Sequence, residues 1–214
     1  MRKITLLFMC LCAVLPLCAQ NSWEIKDKKP NSLQVGAVLM SIPAEQMHIN
    51  PVGIQAGYMR ELELGSKGWF VQGGVALQYL RARADFDKKE SPKRLDSNRV
   101  IGKVPVQLGY KWDLEHDTAF RLYAGGYAQY LLLQDAGVRF YELNDVLDFD
   151  TFWNKKLGYG LTIGAQYNFD TQWFGGVNFN YSLSPVSDDE QRNIPLSTLD
   201  ARPFAFELHI GYRF

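Results

Sequence analysis

In the last eleven residues, FAFELHIGYRF, apolar side chains take every second position: Phe204, Phe206, Leu208, Ile210, Tyr212 and Phe214. Between them lie Ala205, Glu207, His209, Gly211 and Arg213. Successive side chains of a strand point to opposite faces, so this alternation predicts a ribbon with one apolar and one polar face. Similar segments occur at 33–42, 51–62, 69–81, 99–112, 119–133, 157–169 and 173–184, with the last at 203–214. The clearest is 157–169, where Leu157, Tyr159, Leu161, Ile163, Ala165, Tyr167 and Phe169 share one face. In the fifth segment Ala124, Gly126 and Ala128 give a thin apolar face. In the fourth, Pro105 has no N–H to donate to a ladder, and a bulge is expected there.

The connections alternate in length. Residues 63–68, 113–118 and 170–172 are short; 82–98, 134–156 and 185–202 are long and polar, and 43–50 is intermediate. Short links on one side and long ones on the other predict an all-β, eight-stranded antiparallel up-and-down transmembrane β-barrel with short periplasmic turns and long extracellular loops. Aromatic residues mark both rims. Trp69, Trp112, Phe120, Phe169, Trp173 and Phe214 fall beside the short links and are expected to form a periplasmic girdle. Tyr79, Tyr130, Tyr159, Tyr181 and Phe204 fall toward the long ones. The competing architecture is a soluble eight-stranded barrel with an apolar interior, which needs no aromatic row at either rim.

The N-terminus changes the expected location. Arg2 and Lys3, the apolar run Ile4–Leu15 and the stretch Pro16–Ala19 have the three parts of a secretory signal peptide, cut after Ala19. Lipidation at Cys18 is the alternative, although Leu17 stands where a small residue is expected. The expected organisation is a signal peptide at 1–19, a periplasmic tail at 20–32 and an outer-membrane barrel at 33–214. All three cysteines, Cys10, Cys12 and Cys18, fall in the signal peptide, so the mature chain has no disulfide, thiolate nucleophile or cysteine-ligated metal. Losing Arg2 and Lys3 leaves a slight acidic excess, which argues against nucleic acid as a partner. No later apolar run is long enough for a membrane-spanning helix.

An eight-stranded barrel has an interior that side chains can fill. A lumen polar network is expected from Lys103, Lys111, Arg121, Glu207, His209 and Arg213. Glu207 and Arg213 bracket His209 on one face, and Gln34, Gln55, Gln72, Gln78, Gln107, Gln166, Asn168, Asn178 and Asn180 accompany them. The network is either a hydrogen-bonded plug or a narrow ion path gated at His209. No catalytic set, cofactor or metal is expected. A rim hydrolase or acyltransferase would have to draw on His48, His116 or His209, and Ser41 near His48 forms no tight motif with it. The acidic stretches 145–150 and 187–190 lack the pattern of a twelve-residue calcium loop.

The long links supply interaction candidates. Residues 81–99 carry seven cations against four acids, Lys88, Lys89, Lys93 and Arg94 among the cations, suited to lipopolysaccharide phosphates. Residues 139–156 hold Phe140, Leu143, Val146, Leu147, Phe149, Phe152 and Trp153, which are too apolar for a solvated tip. Leu143, Val146, Leu147 and Trp153 suit one face of a short helix or folded lid, and the segment either caps the barrel mouth or docks a partner.

The segments VPVQLGYKW (104–112), YAGGYAQYLL (123–132) and LGYGLTIGAQYNF (157–169) resemble the PorT-type outer-membrane β-barrels of Gram-negative bacteria. That resemblance implies a barrel in the outer membrane and, for some members, support of protein secretion. The expected function is non-enzymatic binding of a partner or surface ligand through the extracellular loops, as an accessory of secretion or envelope assembly. Small-solute or ion transport is the alternative. Expected partners are outer-membrane lipid and lipopolysaccharide, the barrel-insertion machinery and an envelope protein, with the barrel itself a monomer.

Overall fold

A computed structural model describes residues 29–44, 47–65, 67–86, 93–114, 118–140, 146–148, 156–185 and 202–214. The expected signal peptide and most of the tail after it lie outside the described residues. The strands in chain order are β1 (Asn31–Ala44), β2 (Met47–Ile49), β3 (Val52–Glu63), β4 (Trp69–Phe86) and β5 (Lys93–Asp113). They continue with β6 (Ala119–Phe140), β7 (Val146–Asp148), β8 (Leu157–Asn168), β9 (Trp173–Ser182) and β10 (Phe204–Arg213). The eight long strands pair antiparallel with their neighbours along the chain, and β10 returns to β1, from Ser32 opposite Arg213 to Ser41 opposite Phe204. At the rim, Asn31 and Phe214 each donate a backbone N–H to the other's carbonyl, at 3.3 and 2.9 Å. The ring therefore has no free edge, as a sheet crossing hydrocarbon requires.

The two faces of the wall decide between the expected architectures. Leu33, Val35, Ile54, Leu77, Val106 and Ile163 point outward with roughly half or more of their surface exposed, and similar residues continue around the ring. Gln55, Gln72, Gln107, Arg121, Asn180 and Glu207 point inward and are buried. A soluble barrel has the opposite arrangement. An apolar exterior around a polar interior is stable only in an apolar solvent, and the fold is a transmembrane barrel.

One end is closed by tight turns. Leu64 N–H bonds Trp69 carbonyl at 2.7 Å, Leu114 bonds Thr118 at 2.9 Å, and Phe169 bonds Trp173 at 3.0 Å. Gly68 has φ of 80° and its carbonyl accepts Lys111 N–H at 2.8 Å, and a Cβ there would lie 2.5 Å from Lys111 O. Only glycine suits that position.

The other end departs from expectation. The wall there is uneven: β4, β5 and β6 have 18, 21 and 22 residues, against 10 in β9 and in β10. Residues 82–86, 93–98 and 134–140, expected as loop, are strand, because each pairs with its neighbour beyond the point where β3 and β8 stop. Val146 and Leu147, expected on a helix face, form β7 opposite Arg139 and Val138. The backbone groups of β6 that β8 does not reach offer a ladder that local helical periodicity cannot match. The bulge is also displaced. Pro105 keeps its register and only interrupts the ladder to β4 between the pairs Gly73–Val106 and Ala76–Lys103. The register shifts between Val100 and Ile101, where Leu132 of β6 is the extra residue.

Candidate functional site

Alternation on eight converging strands stacks the inward side chains in layers. Next to the short turns, Arg121 from β6 and Arg213 from β10 both donate to Glu61 Oε2 of β3, Arg213 at 3.1 Å. The two guanidinium groups lie over Phe70 and Phe174, at 5.3 and 5.4 Å from the ring centroids. Cation–π contact and the shared carboxylate together make a buried arginine pair tolerable. In the next layer Gln72 Nε2 donates to Gln107 Oε1 at 2.6 Å, and Gln107 Nε2 to Thr162 at 3.4 Å.

Glu207 organises the middle. Its Oε1 accepts from Lys103 Nζ and from Gln78 Nε2, both at 2.7 Å, and its Oε2 from Asn178 Nδ2 at 3.1 Å. Gln78 also donates to Gln55 at 3.0 Å, Lys103 to Asn180 at 3.0 Å, and Tyr123 OH to Asn178 Oδ1 at 2.8 Å. A carboxylate removed from water needs its lone pairs filled in this way. Free space around Gln72, Gln107 and Glu207 amounts to about 20 Å³, enough for one water. Above Glu207 an apolar layer of Val38, Leu80, Ile101 and Ala205 crosses the lumen, with Met40 and Leu131 packed on it.

Among the expected network residues, the structure brings Lys103 to Glu207 and Arg121 to Arg213, through Glu61. Lys111 is not part of either cluster: it sits at the short-turn mouth beside Asp113 at 3.0 Å and Glu63 at 3.7 Å. His209 lies edge-on to Phe174 with 6.1 Å between centroids, and its Nδ1 has no hydrogen-bond partner among the described residues. Glu61 and Arg99, both buried, were not anticipated. Each shares the parity of inward neighbours, Glu61 with Gln55 and Arg99 with Lys103, and the alternation carried that signal.

Trp69, Trp112, Phe169, Trp173 and Phe214 are exposed at the short-turn rim, and Phe120 is partly covered there. Tyr110, Tyr167 and Tyr212 join them: Trp69–Tyr110, Tyr110–Trp112 and Trp173–Tyr212 meet edge-on at 5.3, 4.7 and 5.1 Å. In the β8–β9 turn, Asp170 Oδ1 accepts the N–H groups of Trp173 and Gln172, both at 2.6 Å. Those bonds hold its carboxyl below the ordinary carboxylate value. At the opposite end, Phe140, Val146, Leu147, Lys93 and Arg94 lie on strands whose side chains are outside the description, and Lys88, Lys89, Leu143, Phe149, Phe152 and Trp153 lie outside the described residues. No group of three His, Cys, Asp or Glu able to hold a metal occurs among the described residues.

An apolar belt outside, a polar plug inside and closed antiparallel pairing define the protein class, and a sequence model for the outer membrane protein beta-barrel domain matches residues 22–188. The chain belongs to that family. Solved structures similar to this member of the family include Ail, the attachment invasion locus protein of Yersinia pestis, with 15% identity and a TM-score of 0.45 over 86% of this chain and 97% of that one. Neisserial surface protein A is similar at 12% identity and a TM-score of 0.46, over 86% of this chain and 97% of that one. The outer membrane enzyme PagL is similar at 10% and 0.33, over 82% and 97%. No curated protein matches the sequence significantly.

Proposed function

We propose that this outer-membrane barrel is non-enzymatic and binds an envelope protein partner or surface ligand through the sheet that β4, β5, β6 and β7 raise beyond the rest of the wall. The observation that carries this reading is the unequal wall height. Past the pair Val52–Arg81, β4 continues for the five residues Ala82–Phe86, about 17 Å along the strand. β6 continues from Leu131 to Phe140 beyond the pair Tyr130–Leu157. Strands carried past the membrane belt cost chain ordering and add nothing to the closed ring, which suits a recognition surface. With the long-loop end facing outward, the cation-rich stretch 81–99 suits lipopolysaccharide phosphates. The apolar belt meets lipid, and the alternating β10 is the segment the insertion machinery would recognise.

The apolar layer above Glu207 supports a non-conducting barrel over a solute pore. The PorT resemblance makes an accessory role in secretion or envelope assembly the most specific form of the proposal. The test is mild extraction of the native outer membrane after chemical cross-linking, with apparent size read on a native gel. A discrete complex larger than the monomer, lost when Phe140, Val146 and Leu147 are all changed to serine, supports the reading. Migration as a lone barrel with and without those changes overturns it.

A further inference from the structure

Two side-chain arrangements on the outer wall repeat each other. On β3, Tyr58 and Arg60 face outward, and Arg60 stands directly opposite Asn31 of β1. On β4, Tyr79 and Arg81 face outward, and Arg81 stands directly opposite Asn98 of β5. In each set the tyrosine hydroxyl donates to the asparagine Oδ1, at 2.7 Å from Tyr58 to Asn31 and at 3.1 Å from Tyr79 to Asn98. Both arginines are exposed, and neither meets a carboxylate among the described residues.

The two sets lie at opposite rims. β3 runs toward the short turns, so Arg60 is nearer that rim than Tyr58, and Asn31 exchanges backbone hydrogen bonds with Phe214 of the short-turn girdle. β4 runs the other way, and Arg81 lies beyond Tyr79, opposite Val52 where β3 begins. Gly73, the β4 residue opposite Arg60, precedes Arg81 by eight residues, about 26 Å along the strand. A strand tilt of about 40° makes this about 20 Å of height, and the arginine stems carry the two charges toward the edges of an apolar band about 25 Å tall. From Val52 to Leu62 and from Trp69 to Arg81, the other outward positions of β3 and β4 are uncharged.

A cation on a lipid-facing wall has hydrocarbon on one side and headgroups at the rim, and the anions at that depth are lipid phosphates. A guanidinium meets phosphate oxygens with its planar fork, and an asparagine amide offers two N–H donors. The tyrosine holds that amide by its acceptor end, which leaves Nδ2 available beside the arginine. We propose that each set is a clamp for the phosphate of a membrane lipid headgroup, Arg60 with Asn31 in the inner leaflet and Arg81 with Asn98 in the outer one. Together they fix the height of the β3–β4 side of the barrel in the membrane. The outer clamp rests on the lipopolysaccharide reading of the stretch 81–99, and the inner clamp rests only on the transmembrane fold.

The test is NMR of the isotope-labelled protein folded in dodecyl maltoside, a detergent without phosphate, titrated with dihexanoyl phosphatidylglycerol. The side-chain amide signals of Asn31 and Asn98 report the two clamps separately. Saturable shifts are expected at both, and none with dihexanoylglycerol, which has the same chains and no phosphate. Arg60→Gln should weaken the response at Asn31 about tenfold or more and leave Asn98 unchanged, and Arg81→Gln should do the reverse. Asn31→Ala, read at the Arg60 Nε signal, should weaken binding about threefold. An Asn31 response that is absent, that dihexanoylglycerol reproduces, or that Arg60→Gln leaves unchanged overturns the inner clamp. The same results at Asn98 with Arg81→Gln overturn the outer one. Inorganic phosphate binding as tightly as the lipid overturns the assignment to lipid at both. Lipopolysaccharide that shifts backbone signals of 82–97 without moving the Asn98 amide keeps the reading of that stretch and overturns the outer clamp.

Discussion

In the half of the lumen nearer the short turns, each buried carboxylate touches the cations that neutralise it, and amides of Gln78, Asn178 and Asn180 link the groups. At the long-loop mouth, beyond Val38, Leu80, Ile101 and Ala205, the polar groups Arg99, Gln129, Lys156, Ser182 and Ser184 line a small pocket beside Met40, Ile42 and Leu131. The first arrangement is closed: each buried carboxylate has its cations within the lumen wall. The second lies at the barrel end, where Lys156 is exposed and Ser182 and Ser184 bond each other and the backbone of Tyr159. A charge in the closed lumen needs its partner within the wall, whereas an exposed charge at the mouth, such as Lys156, can be met by solvent.

The comparison predicts a graded series of effects on unfolding free energy, measured in lipid vesicles. Lys103→Met leaves Glu207 buried without its cation and should cost about 3–5 kcal/mol. Arg213→Met should cost less, because Arg121 still meets Glu61; an equal cost would show that the two clusters do not differ in redundancy. Gly164→Val comes next. A Cβ there would lie 2.3 Å from both Asn178 Oδ1 and Tyr123 Cε2, and overpacking of this kind costs about 1–3 kcal/mol. Lys111→Gln at the wet short-turn mouth should change stability by less than about 1 kcal/mol. A larger loss would place Lys111 in the buried network after all.

The smallest effect is that of Asp170. Its folded carboxyl titrates below the ordinary value, so it contributes stability above the unfolded pKa, and that contribution disappears as pH falls through the folded one. Unfolding midpoints at neutral and acidic pH, for the wild type and Asp170→Asn, should show a smaller acid-induced decrease in the variant. Equal decreases would mean that the turn bonds carry no linkage.

Period-two alternation determined the class of fold: eight apolar faces, an even strand count, aromatic residues at both rims and an inward face rich in Gln, Asn and charge. Strand parity is a local property, and it assigns Glu207, Lys103 and even the overlooked Glu61 to the lumen without knowledge of the neighbours. What it does not contain is the angular and axial position of one strand against another. Tertiary pairing alone decided that Arg121 and Arg213 share Glu61, while Lys111, of the same inward parity, ends at the wet mouth with Asp113. The heights of β4–β6, the bulge at Leu132 rather than Pro105, and the strand conformation of Val146 and Leu147 were likewise settled by available backbone partners. The sequence orients each residue inward or outward, and closure of the ring selects its contacts.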